Sequence, residues 1–209
     1  MSRRGRFITL EGGEGVGKTT NLNYVCEFLK NRGIEVVATR EPGGVPKAEQ
    51  LRALLLGQSW LPEAELLLFF AARLHHVREL ILPALAAGKW VVSDRFTDAS
   101  FAYQGGGRGL SWQRIQYLKD WLLEGLQPDL TLLLDAPVEV GLARAQARGK
   151  LNRFETENLE FQKRVRRAYC LLWQQQPERI KRIDAARPLP EVQLDIAGHL
   201  KALVEAWRN

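Results

Sequence analysis

The chain has 209 residues, 45% of them hydrophobic and 26% charged, with two cysteines and a formal net charge of +6. That length and balance suit one α/β domain with a sizeable core and exclude a second full domain or a disulfide scaffold. No apolar stretch approaches the length of a membrane span, and the basic start Met1 to Arg6 runs directly into an apolar strand pattern, so the expectation is a cytoplasmic protein without membrane contact. The positive charge has two explanations at this point, a nucleic-acid partner or a site that holds several phosphates at once.

In chain order, Phe7 to Leu10 reads as a buried strand, and Gly12-Gly13-Glu14-Gly15-Val16-Gly17-Lys18-Thr19 follows it with the spacing Gly-x-x-x-x-Gly-Lys-Thr. A helix is predicted from 18 to 32, so the loop joins a strand to a helix. Its glycines let backbone N–H groups turn around an anion, the helix N-terminus adds partial positive charge, Lys18 reaches the outer phosphates, and Thr19 can ligate Mg²⁺. Further strands are predicted at Ile34 to Ala38, Trp90 to Ser93, Leu130 to Asp135 and Ile180 to Asp184. Helices are predicted at 47–57, 62–87, 111–125, 137–148, 155–176 and 189–207, with Pro62, Pro137 and Ser111 as start signals and Gly33 and Gly88 as stops. Five strands alternating with helices imply a parallel sheet covered on both faces.

In such a sheet, ligands bind at the carboxyl ends of the strands. The loops there are Thr39 to Gly44, Asp94-Arg95-Phe96, Tyr103 to Gly109, and the segment after Asp135 that leads to a basic loop around Gly149. Asp94 closes its strand as a Mg²⁺-holding acid does beside a phosphate loop, although a turn cap has the same appearance. Arg40, Arg73 and Arg95 are candidates to converge on one anion. One phosphate loop does not need all three, which points to a second phosphorylated ligand and to phosphoryl transfer. A phosphate monoester acceptor is mostly dianionic at neutral pH and needs no general base to attack. That suits a chain whose histidines, His75, His76 and His199, all fall in helical segments. The loop Ala147 to Arg153, within a lid at about 147–155, is positioned to close over the donor, with Arg153 as the candidate transition-state arginine. A second basic cluster, Lys163 to Arg167, reads as a solvated helix face or, in the alternative, a nucleic-acid contact.

Taken together, EGGEGVGKTT, TREPGG, FFAAR, DRF and AYQGGGRG, in this order and spacing, resemble the bacterial thymidylate kinases over essentially the whole chain. The resemblance implies a three-layer P-loop NTPase of the nucleoside-monophosphate-kinase type with a five-stranded parallel sheet. It implies a homodimer that moves the γ-phosphoryl group of ATP to dTMP with Mg²⁺, in dTTP biosynthesis. Gly12, Gly13, Glu14, Gly15, Val16, Gly17, Lys18, Thr19, Thr20, Arg148 and Arg153 would bind ATP, and Thr19 and Asp94 would hold the metal. Lys18, Arg95 and Arg153 would be catalytic. Phe69 would stack on thymine and Arg73 reach a thymine carbonyl. Arg40 and Arg95 would hold the dTMP phosphate, and Glu14 would contact the sugar 3′-hydroxyl. Tyr103 would pack against C2′, with Ser100 and Gln104 lining the base pocket.

Chemistry read from the residues agrees. An aromatic ring four positions before an arginine on one helix shares its face, so Phe69 can stack while Arg73 reads an edge. Glu14 inside a phosphate loop is costly unless it turns toward the acceptor. Two positions depart from the family. Some relatives carry an arginine where this chain has Gly15, which assigns that charge to the basic lid. Phe96 replaces a polar residue of many relatives and cannot hydrogen-bond. The alternatives are another deoxynucleoside-monophosphate kinase, a nucleic-acid-binding ATPase, and a nucleotide-binding module without chemistry.

Overall fold

A computed structural model describes residues 4–149 and 152–208. Five parallel strands form one sheet in the order β2-β3-β1-β4-β5: β1 (Phe7–Glu11), β2 (Val36–Arg40), β3 (Trp90–Asp94), β4 (Leu130–Asp135) and β5 (Ile180–Asp184). The central strands β1 and β4 are buried along their whole length, which is why both read as nearly continuous apolar runs. One face is covered by α1 (Lys18–Lys30) and α9 (Leu189–Arg208), whose Val25, Leu29, Ile196 and Leu200 pack against Ile8, Leu10, Leu132 and Leu134.

The other face carries α3 (Pro62–His76), α6 (Trp112–Leu123) and α8 (Leu159–Gln175), with α2 (Pro46–Gly57) at the edge and α7 (Val138–Arg148) beside the phosphate loop. Among the described residues no helix is long and apolar enough to cross a membrane.

Four elements differ from expectation. β2 lies two residues later than predicted, because its ladder with β3 runs from Val36 opposite Trp90 to Arg40 opposite Asp94. Ile34 instead closes the turn after α1, its N–H bonded to Leu29 O at 3.2 Å. The helix predicted over 62–87 is interrupted by a π-helical turn at Val77–Ile81, where Leu82 N–H reaches back to Val77 O and Pro83, without an amide donor, starts α4 (Leu82–Ala86).

The largest difference is in the run 97–107, whose later part falls within the expected loop Tyr103 to Gly109. It is helical, as α5 (Thr97–Ser100) followed by a π-helical stretch over Phe101–Gly107 packed on α8. The glycines there serve close packing: a Cβ on Gly106 would lie 2.6 Å from Ala168 Cβ, and one on Gly107 would lie 2.5 Å from the Phe161 ring. α8 begins at Leu159, later than predicted, because Asn158 caps it by accepting Phe161 N–H at 2.8 Å.

Candidate active site

The carboxyl ends of β1, β2 and β3 open into one cleft of about 650 Å³, with the phosphate loop as its floor and Arg40, Phe69, Asp94, Tyr103 and Arg148 among its walls. The loop leaves β1 at Glu11 and enters α1 at Lys18 after Gly17, whose φ is 87°. Gly15 has φ 68°, and a Cβ there would lie 1.9 Å from Gly141 O of α7. No side chain fits at that position without moving α7, so the loop itself cannot carry the arginine that some relatives place there. The Lys18 ammonium donates to Gly13 O at 2.6 Å and Gly12 O at 3.3 Å, which lays the side chain across the loop.

Arg95 is the hub of the site. It follows β3 with φ 73°. Its Nη1 donates to Gly12 O at 2.9 Å and the Tyr169 hydroxyl at 3.1 Å, and its Nη2 to Glu14 Oε1 and the Tyr103 hydroxyl, both at 2.9 Å. The Tyr103 hydroxyl donates to the same Glu14 oxygen at 2.6 Å. Glu14 therefore turns away from the loop amides toward the acceptor side. Burial works against its ionisation, but the neighbouring Arg95 and Lys18 charges outweigh that and hold its carboxyl below the usual carboxylate range. Burial keeps both tyrosine hydroxyls protonated, well above the ordinary phenol range, so they remain donors.

On the acceptor side, Arg40 is half exposed at the end of β2 and pairs with both oxygens of Glu49, at 3.0 and 3.1 Å. Phe69, Ser100, Tyr103 and Gln104 line the cleft as a group. Arg73 does not join Arg40 and Arg95. It is buried behind the pocket, with Nε on Glu41 Oε2 at 2.6 Å, Nη1 on Ser100 Oγ at 3.0 Å and Nη2 on Phe96 O at 3.0 Å. The arginine that lines the cleft with Arg40 and Arg95 in its place is Arg52 of α2, which donates to Pro42 O at 2.7 Å. Burial and the neighbouring Arg40 charge lower its pKa, so an anion placed between the two would relieve that repulsion. Phe96 is fully buried, its ring 4.9 Å from that of Phe7, in an apolar role.

The lid also differs from expectation. Lys150 and Leu151 lie outside the described residues. In the rest of the segment Arg148 lines the cleft, paired with the buried Glu155, and Arg144 lines it while donating to Ala185 O at 2.7 Å. Arg153, the sequence-based candidate for the transition-state charge, points the other way. It pairs with the fully buried Glu65 of α3 and donates to Gln58 O at 3.0 Å. Glu65 also accepts Gln104 Nε2 at 2.9 Å and Arg108 at 3.3 Å, so Arg153 is drawn to a buried carboxylate that spacing could not reveal. This docking places the Phe154 ring 6.0 Å from Phe69 and 5.6 Å from Tyr103.

Thr19 and Asp94 face the same cleft, and a hydroxyl with a carboxylate fits Mg²⁺, which takes hard oxygen ligands and completes its shell with phosphate oxygens and water. The 163–167 cluster is divided: Arg164 donates to Gly107 O at 2.9 Å and Arg166 to Asp135 Oδ1 at 2.7 Å, so it forms no continuous basic stripe for a nucleic acid. Residues the sequence reading missed are Glu11, Arg52, Tyr169 and Glu155. Of these, only Glu11, an acid ending an otherwise apolar strand directly before the phosphate loop, carried a local signal.

A family model described as thymidylate kinase matches residues 10–196. A curated relative named thymidylate kinase, from Methylococcus capsulatus, is 57% identical over 201 residues, covering 96% of this chain and 97% of its own. Another of that name, from Pseudomonas putida, is 54% identical over 208 residues, covering 98% and 99%. The crystal structure of thymidylate kinase from Ehrlichia chaffeensis superimposes with a TM-score of 0.80 at 33% identity, covering 95% of this chain and 99% of that one.

Proposed function

The chain belongs to the thymidylate kinase family, and we infer from that membership that it transfers the γ-phosphoryl group of ATP to dTMP, giving ADP and dTDP. The observation that carries this reading is a single cleft holding both a phosphate loop and an acceptor wall of Phe69, Ser100, Tyr103 and Gln104, joined through Arg95.

The acceptor phosphate, a dianion, attacks the γ-phosphorus directly, and the enzyme supplies alignment and charge neutralisation. In this reading Lys18 spans the transferred group, the loop amides and Thr20 hold the donor, and Arg40, Arg52 and Arg95 hold the acceptor phosphate. Arg148 is the lid cation that meets the developing charge. Thr19 and Asp94 would hold Mg²⁺, which would supply neutralisation of charge on the donor phosphates. Phe69 stacks on the base, while Arg73, from behind the pocket, braces Ser100 of its wall. Glu14 takes the 3′-hydroxyl, and the Tyr103 ring fills the space beside C2′ that a ribose hydroxyl would need. Lid docking through Arg153 and Phe154 keeps water from the donor.

Steady-state ADP release with ATP and Mg²⁺ should be strong with dTMP, weaker with dUMP, and lower by roughly 100-fold or more with UMP, because Tyr103 is pinned at both its hydroxyl partners and cannot yield to the extra oxygen. ADP release that ignores the acceptor would replace this reading with an ATPase.

Two helices also present a band of large apolar side chains to solvent, Leu67 of α3 with Tyr117 of α6 and the Trp121 ring beside Tyr117. A homodimer would bury this band against its copy. Sedimentation velocity should give a dimer for the native chain and a monomer for Trp121→Glu with Leu67→Glu. An unchanged mass for the double variant would rule this face out.

A further inference from the structure

Glu11, the last residue of β1, is fully buried and lies outside the lining of the cleft. Its Oε1 accepts the Phe96 N–H at 2.7 Å, and its Oε2 accepts the Tyr169 hydroxyl at 2.7 Å. Phe96 directly follows Arg95, whose φ of 73° is a region that a residue other than glycine keeps only where its surroundings hold it. The Tyr169 hydroxyl in turn accepts Arg95 Nη1 at 3.1 Å. One carboxylate thus holds Arg95 at two points, through the next backbone amide and through the guanidinium.

A carboxylate in this place is costly for the fold. Burial, and then the nearby Asp98 charge, push its pKa up, while Arg95 and the bonds from Tyr169 and the Phe96 amide favour the ionised form, and the neighbouring core positions Phe7, Ile8 and Leu10 are met by apolar side chains. What the carboxylate does that an apolar residue cannot is accept both donors at once. From this geometry we propose that Glu11 is a positioning residue for phosphoryl transfer: through the Phe96 amide and Tyr169 it aims the Arg95 guanidinium at Glu14, Tyr103 and the phosphate loop, touching neither substrate. The proposal rests on the thymidylate kinase reading of the cleft.

The test is steady-state kinetics and thermal melting of the full chain as native protein, Glu11→Gln, Tyr169→Phe, Arg95→Lys, and each of the first two combined with Arg95→Lys. Glu11→Gln should lower turnover with dTMP by about 10- to 100-fold, more in kcat than in KM for ATP. In the Arg95→Lys background the same substitution should cost less than about twofold. Tyr169→Phe should show a smaller loss with the same dependence on Arg95, and it carries the test should Glu11→Gln fail to fold. Equal losses in both backgrounds, or native turnover from a folded Glu11→Gln, would overturn the proposal alone. A native chain inactive toward dTMP would overturn the functional reading and the proposal with it.

Discussion

Lys18→Ala is expected to reduce turnover by roughly 10³-fold or more while the protein still folds. The ammonium stands at the junction of loop and helix, buried, with its hydrogen bonds going to the carbonyls of Gly12 and Gly13. Burial and the adjacent Arg95 charge both lower its pKa, so the cation is held in a position that strains against its own ionisation and is relieved by an anion. In the proposed reaction a donor triphosphate is that anion, and the interaction strengthens as charge builds on the transferred group. Alanine removes the charge and leaves backbone carbonyls that water can satisfy, so the loss should fall on kcat far more than on the melting temperature. A Lys18→Ala protein turning over within tenfold of native would refute the assignment of this cleft as the transfer site.

Arg95→Ala should be nearly as damaging, with a different signature. The guanidinium contacts Gly12 of the donor loop and Glu14 and Tyr103 of the acceptor wall. In the proposed reaction its removal takes a charge from the acceptor phosphate, and it leaves Glu14 half-buried without its main cationic partner. Both kcat and KM for dTMP should suffer, with kcat/KM falling by about 10³-fold or more, and KM for ATP should move much less. Thermal stability should fall as well, by about 1–3 kcal/mol for the orphaned partners. Arg95→Lys should recover part of the kcat/KM, since it restores the charge without the forked geometry. If Arg95→Ala changed KM for ATP and for dTMP equally, Arg95 would not be the acceptor-side residue described here.

Local features were legible without coordinates. Gly12 to Thr19 announces itself because its function depends on consecutive backbone amides, and those are set by residues adjacent in the chain. The strands at β1, β3 and β4 were legible because burial along nearly their whole length demands an apolar run. β2, at the sheet edge with half-exposed residues, lacks that demand, and its place was decided by register with β3. The 97–107 segment misled because three consecutive glycines resemble a turn, whereas here they let a helical stretch approach α8.

Charged residues were the least legible. Arg73 and Arg52 are both helical arginines, and no pattern around either one says that Glu41 waits for the first and that the second faces the cleft. Arg153 and Arg148 lie in one basic segment, yet a buried Glu65 on another helix takes the former away from the phosphate loop. The sequence by itself determined the phosphate loop, the alternation of strand and helix, and the set of residue types able to stack on a base and bind phosphate. Only the tertiary structure decided which arginines are neutralised inside the protein and which stay available to a ligand, because the pairing of charges is governed by distance through space and by loss of solvent, and neither is recorded in spacing along the chain.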